Sequence, residues 1–329
     1  MTQQDVDVDV LCVGETMAMM TPQGGAPLAP ATPLVLAAGG AESNVAAFLA
    51  PLGHRAAWAS RLGDDPLGRI VRDLIADAGV DTSLVELTDR PTGLYVKAPG
   101  PDGTTVLYYR AGSAASTMDA AFATRLAAVR SRVLHLSGIT PALSTGCREL
   151  VRHLVLDRPL APAVVSFDVN HRPGLWSAAD ARDELATLAQ AADVVLVGLD
   201  EARRLWGCRT AEDVRSRLDG PATLVIKDGA VEAVSFTAEG TTRVAARPVD
   251  VVEPVGAGDA FAAGWLSGML DRRDAWERLA LGHLVAAAAL GSATDHAELP
   301  TRPEIQTQLD HQRAEAHAAA RRGPGDDRA

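Results

Sequence analysis

A chain of 329 residues that is 47% hydrophobic and 22% charged, with 29 glycines and 19 prolines, suits one large folded domain with a small appendage and excludes a disordered protein. Its formal net charge of -11, without any Lys/Arg stripe, excludes a general nucleic-acid binder, which must displace counterions from phosphates. The three cysteines, Cys12, Cys147 and Cys208, are scattered and odd in number without CxxC spacing, which excludes a disulfide framework and a zinc site.

In chain order, Met1–Val10 carries acids where a signal peptide needs basic and then apolar residues, and no run of about 18 apolar residues follows. Gly264–Gly268 lies in an Ala-rich stretch, but Asp259 and Asp271 bracket it too closely for a membrane span. A reducing cytoplasm and no membrane contact are therefore expected. Strand candidates are Val8–Val13, Val133–Leu136, Val164–Phe167, Val194–Val197 and Leu224–Ile226, and helix candidates are Val45–Leu52, Leu67–Asp77, Ala179–Ala191 and Asp259–Leu270. Their alternation predicts an α/β fold, a parallel sheet with helices on both faces. Residues of about 18–37 and 88–112 break the alternation, because they are rich in turn residues and strand formers and lack helical period. Within them, Leu94–Ala98 and Thr105–Arg110 read as a hairpin closed at Pro101-Asp102-Gly103, Asp-Gly being a strong turn signal. These pieces are expected to form a β-lid on the main layer. Residues 1–310 are read as one domain. From about Gln308 the chain becomes a polar Ala/Arg tail, expected as a fraying helix with disorder over 311–329.

The turn Pro254-Val255-Gly256-Ala257-Gly258-Asp259 stands before an apolar helix containing Phe261, Trp265, Leu266 and Met269. Glycines ahead of a helix let backbone N–H groups converge on an anion, and the helix N-terminus adds positive potential. An Asp there can accept the proton of an attacking hydroxyl while the turn holds a phosphoryl group in transfer. An ordinary helix cap explains the same residues equally well. The segment is not a Walker A loop, since no Lys-Ser/Thr follows the glycines.

A second segment distinguishes these readings. Gly39-Gly40-Ala41-Glu42-Ser43-Asn44-Val45-Ala46, followed by Gly53 and Gly63-Asp64-Asp65, resembles the N-terminal signature of the PfkB (ribokinase-like) carbohydrate kinases, and Val255–Gly264 resembles their C-terminal signature. The resemblance spans roughly the whole chain. It implies a ribokinase-like, doubly wound three-layer α/β/α sandwich with a small β-strand lid. It also implies ATP as phosphoryl donor, Mg²⁺ arriving on the nucleotide with few protein ligands, Asp259 as catalytic base, Gly256, Ala257 and Gly258 as the anion hole, and Gly40 and Asn44 at the sugar. The lids of two copies are expected to pair, since an exposed β-lid is an edge that pairing covers.

Four further segments are similar to the 2-keto-3-deoxygluconate kinases of that family: Thr92–Lys97, Leu107–Ala114, His135–Thr140 and Phe167–Trp176. By this resemblance Tyr95, Tyr108, Arg110 and Arg172 line a sugar-acid pocket, and Asp295 lies near it. A carboxylate substrate needs a fixed cation, for which guanidinium offers a planar match, and tyrosines give apolar walls with polar tips. His135 is read as a core histidine at a strand end. Lys227, Gly229 and His283 fall in the implied nucleotide region. The family's Asn-x-x-Glu, which organises water around the magnesium and phosphates, is here Gly198-Leu199-Asp200-Glu201, so Glu201 remains, and either Asn170 carries more of the phosphate contact or a water replaces the lost amide. Glu253, Trp265 and His283 also depart from the common pattern. The implied reaction is ATP-dependent phosphorylation of 2-keto-3-deoxygluconate. The alternatives are another PfkB kinase, for fructose, a nucleoside or a different aldonic acid, and a non-catalytic sugar-acid sensor of the same fold.

Overall fold

A computed structural model of the chain describes residues 7–100, 103–252, 255–291 and 299–322. The chain enters the main sheet with β1 (Asp7–Val13) and leaves it for an antiparallel pair, β2 (Met17–Pro22) and β3 (Leu34–Gly39). It returns through α1 (Ala41–Leu49) to β4 (Ala56–Gly63), α2 (Pro66–Asp77) and β5 (Val85–Thr88). A second excursion makes β6 (Leu94–Gly100) and β7 (Gly103–Tyr109), after which come α3 (Ala120–Leu126), β8 (Arg130–Ser137), α4 (Thr145–Arg152) and β9 (Val164–Asp168). The body continues with α5 (Ala178–Ala191), β10 (Val194–Gly198), α6 (Leu199–Trp206), α7 (Ala211–Arg217) and β11 (Thr223–Asp228). The antiparallel strands β12 (Glu232–Thr237) and β13 (Gly240–Ala245) then precede α8 (Ala257–Leu270), α9 (Ala275–Leu290) and α10 (Arg302–Arg322).

The nine body strands form one sheet in the order β13-β12-β11-β10-β9-β8-β1-β4-β5. Its strands read as continuous apolar runs because both faces are covered: Val195 and Val197 of β10 pack into one core, Val194 and Leu196 into the other. Helices α3 to α7 cover the first face, and α1, α2, α8 and α9 the second, with Ile305 and Leu309 of α10. Strand β1 pairs in parallel with β4 on one side and β8 on the other, so the winding direction reverses there. In sheets of this kind the crevice outside the carboxyl ends of such strands is where ligands bind. Helix α8 is set against α9 at close range, since a Cβ on Gly264 would lie 2.6 Å from the Leu281 carbonyl oxygen. Only glycine fits there, and this contact fixes where the first turn of α8 points.

The two excursions form the expected lid, a second sheet ordered β3-β2-β6-β7. The hairpin is present with Tyr95 opposite Tyr108 and Ala98 opposite Thr105. Pro101 and Asp102 lie outside the described residues. The polar segment expected as a fraying helix from about Gln308 lies in α10, which runs to Arg322. Arg313 explains part of this: it ion-pairs with Asp274 at 2.6 Å and its guanidinium lies 4.8 Å from the centre of the Trp276 ring. Among the described residues, no helix is long and apolar enough to cross a membrane.

Candidate active site

Three segments meet at the carboxyl edge of the sheet: the first turn of α1, the chain just after β9, and the first turn of α8. Gly40 starts α1 at a point where a Cβ would lie 2.3 Å from the Glu15 carbonyl oxygen, so the helix begins pressed against the β1–β2 link. Asn44, one turn on, is buried and donates its Nδ2–H to Asp259 Oδ2 at 2.9 Å. Asn170 donates to the other oxygen, Oδ1, at 3.4 Å. To reach it, Asn170 takes a left-handed φ of 38°, an unusual backbone state that Asn tolerates better than most residues. Asp259 is only 7% exposed. Burial raises its pKa to about 7, with Asp168 adding to the rise while the Asn44 hydrogen bond, Arg172 and Lys227 oppose it. A carboxylate poised at this value can take a proton from a hydroxyl near neutral pH.

The turn before it has a backbone that could receive an anion. Gly256 has φ 85°, a conformation glycine adopts without strain, and Ala257 opens the helix. The first N–H groups of α8 have no partner within the helix, so they are free to receive a phosphoryl group. A Cβ on Gly258 would lie 3.6 Å from Lys227 Nζ, which places that ammonium beside the turn. Lys227 is paired at 2.7 Å with Asp168, a 2% exposed carboxylate at the end of β9. Although burial opposes its charge, Asp168, Glu201 and Asp259 hold the Lys227 pKa above its ordinary value. Asp168 was not among the candidates read from sequence. Its signal is the Asp168-Val169-Asn170-His171-Arg172 pattern, whose alternate residues lead from the strand end into the site.

Glu201 folds back on its own helix, accepting the Gly198 N–H at 2.9 Å, with Arg172 Nη1 4.0 Å from its other oxygen. A Cβ on Gly198 would come within 2.6 Å of Asp200 Oδ1 and 3.3 Å of Glu201 Oε2, so the glycine is what gives this fold-back room. Burial and Asp168 raise the Glu201 pKa. Gly229 turns the chain between β11 and β12 with φ 51°. His283 is buried: its Nε2 pairs with the Val244 carbonyl at 3.1 Å and its ring meets Phe261 edge-on at 5.2 Å. His135 is a core histidine as read, held by Ser166 at 3.1 Å, and burial lowers its pKa to about 4.

On the lid, Tyr95 is buried against Met17 and Met19, and Tyr108 is half-exposed with its ring 5.8 Å from that of Tyr95. Arg110 lies under Tyr108, 5.7 Å from the ring centre, and is ion-paired with Glu15, which sequence reading overlooked. Arg172 is half-exposed. The two arginines thus differ, one held inside the lid base and the other half-exposed beside Glu201. Asp295 and Glu253 lie outside the described residues.

This geometry can be set beside known proteins. The sequence pattern of the pfkB family carbohydrate kinases matches residues 8–302. The 2-dehydro-3-deoxygluconokinase of Bacillus subtilis strain 168 is 35% identical over 313 residues, covering 93% of this chain and 97% of that protein. The 2-dehydro-3-deoxygalactonokinase of Haloferax volcanii is 33% identical over 300 residues, covering 88% and 92%. Among solved structures, a PfkB protein from Polaromonas sp. JS666 superposes with a TM-score of 0.81 at 37% identity, covering 91% of this chain and 99% of that one. The fold is the ribokinase-like sandwich, and with its buried Asp259 behind a glycine turn the chain belongs to the PfkB family of carbohydrate kinases.

Proposed function

We propose that the protein transfers the γ-phosphoryl group of ATP to the terminal hydroxyl of 2-keto-3-deoxygluconate. The observation that carries the catalytic part is Asp259: buried, gripped by Asn44, with a pKa of about 7, in the first turn of a helix, where the N–H groups have no partner within the helix. In the step, Asp259 takes the hydroxyl proton as the substrate oxygen bonds to the γ-phosphorus. The bond from that phosphorus to the bridging oxygen breaks, and ADP leaves with the electron pair. The turn Gly256–Ala257–Gly258 and Lys227 stabilise the charge carried by the transferred group.

Among the described residues, no group of three His, Cys, Asp or Glu side chains is placed to hold a metal ion. The buried Asp168 Oδ1 and Asn170 Oδ1 lack hydrogen-bond partners, and such acceptors fit water molecules carried on nucleotide-borne Mg²⁺. Bound in that way, the ion supplies neutralisation of phosphate charge.

The acid preference rests on Arg110 and Arg172 and on the Tyr95–Tyr108 wall, together with the similarity to the sugar-acid kinases named above. Closure of the lid over the sugar would keep water from the phosphoryl group, since a kinase that admits water becomes an ATPase. Leu34, Val35, Leu107 and Tyr109 of the lid are exposed, which supports self-association through this sheet. The test is coupled ADP release measured with 2-keto-3-deoxygluconate, its galacto epimer and fructose. The expected result is the highest kcat/KM on the 2-keto-3-deoxygluconate. Preference for fructose overturns the substrate assignment, and absence of ADP release with every sugar overturns the kinase assignment in favour of a sensor.

A further inference from the structure

Both excursions of the chain into the lid begin and end around one side chain. Glu15 lies in the link between β1 and β2, and its carboxylate is fully buried. Its backbone carbonyl fills the space that a Cβ on Gly40 would need, and its Oε1 lies 3.1 Å from where a Cβ on Gly93 would stand. Gly40 closes the first excursion and Gly93 opens the second. The second closes through Arg110 and Ser113, and both reach back to Glu15: Arg110 Nη2 ion-pairs with Oε2, and Ser113 Oγ donates to Oε1.

Arg110 is itself nine-tenths buried at its side chain, and its Nε–H has no hydrogen-bond acceptor among the described residues. A buried guanidinium without a counter-charge is costly and would relax toward water. Glu15 offsets part of that cost and supplies the counter-charge for the guanidinium that lies beneath the Tyr108 ring. With Glu15 on Nη2 and Tyr108 over one face, one buried, unspent donor remains. A ligand that supplies an acceptor oxygen to Nε gains a charge-assisted hydrogen bond without ordering the arginine first.

We infer that Glu15 is a positioning residue for acid recognition: it holds Arg110 desolvated and aligned, with Nε–H kept for the carboxylate of a sugar-acid substrate that Glu15 itself does not touch. The inference rests on the proposed sugar-acid reading of the site. Because the Glu15–Arg110 pair is close to neutral, recognition comes from a fixed hydrogen-bond donor more than from net charge. Acid affinity therefore requires both residues together.

A double-mutant cycle on the full chain tests this, with KM and kcat measured for 2-keto-3-deoxygluconate and for fructose in wild type, Glu15→Gln, Arg110→Ala and the double variant. Arg110→Ala should raise KM for the keto acid by about 10- to 150-fold, the range for losing a charge-assisted hydrogen bond. Glu15→Gln should raise it to within about threefold of that level with kcat little changed, and in that background Arg110→Ala should cost less than about threefold more. KM for fructose should be unchanged in Glu15→Gln, which a general loosening of the lid would not allow. Independent, additive effects overturn the positioning role, as does a lower KM for the keto acid in Glu15→Gln, which would show Glu15 competing for Arg110. If Glu15→Gln does not fold, Ser113→Ala keeps both charges and removes the donor to Oε1. It should raise KM for the keto acid alone, and an unchanged KM overturns the inference. Wild type preferring fructose defeats the sugar-acid reading and this inference together, whereas wild type preferring the keto acid with an additive cycle defeats this inference only.

Discussion

Replacing Asn44 by Ala removes the donor that holds Asp259 Oδ2 at 2.9 Å. That bond opposes the burial which lifts Asp259 to about 7, so its loss lets the pKa rise further. A hydrogen bond to a charged group is worth roughly 1.5–3 kcal/mol, which at about 1.4 kcal/mol per pH unit corresponds to a rise of about 1–2 units. The base acts only when ionised. In wild type, kcat/KM should therefore climb with pH and level off above about 7, whereas in Asn44→Ala the climb should continue to about 8–9. At pH 7 the ionised fraction drops from about one half to about 1–10%, a loss of roughly 5- to 50-fold that raising the pH recovers. Coupled ADP-release rates from pH 5.5 to 9.5 measure this. Parallel profiles, with the variant depressed equally at every pH, would refute the claim that Asn44 tunes the base and would leave it only a sugar contact.

The pKa of Asp259 also makes a stability prediction. Because folding raises it from an ordinary 3.8 to about 7, the buried anion opposes folding by an amount that grows through that pH range and is complete above it. Asp259→Asn should therefore be more stable than wild type at pH 8, by at most about 4 kcal/mol, and equal to it near pH 3.5, as read by urea denaturation. Arg172→Ala should raise KM for the keto acid by about tenfold, the low end for a charged hydrogen bond because this side chain is half-exposed, and leave KM for ATP unchanged. Light scattering at micromolar concentration should give at least a dimer, and Tyr109→Glu on the exposed lid surface should shift it to monomer; a wild-type monomer would dismiss lid pairing.

Much of the body was legible because parallel strands covered on both faces leave apolar runs that nothing else explains, as with Val194–Val197 and Leu224–Ile226. The lid was legible through its missing helical period and its Asp-Gly turn. Helix α1 starts earlier than its apolar spacing suggests, at Ala41, because Gly40 is a non-helical cap and Glu42, Ser43 and Asn44 are polar yet buried. Glu42 shows why such residues mislead: it is fully buried and accepts from Ser137 at 2.7 Å and Thr140 at 2.9 Å, partners about 95 residues or more away. Pairings of this kind have no local signature, and Lys227 with Asp168 or Arg110 with Glu15 escape notice for the same reason. The pairing of His283 with the Val244 carbonyl, 39 residues away, is likewise invisible to local pattern.

Asp259, buried and hydrogen-bonded at the head of α8, is the group proposed to accept the substrate's proton. The most direct test of that role is steady-state turnover of Asp259→Asn with ATP and the keto acid, alongside KM for each. If Asp259 is the base, kcat should fall by roughly two to four orders of magnitude, the usual contribution of a general base, with both KM values within about threefold of wild type. Near-normal turnover with an unchanged pH profile would contradict it.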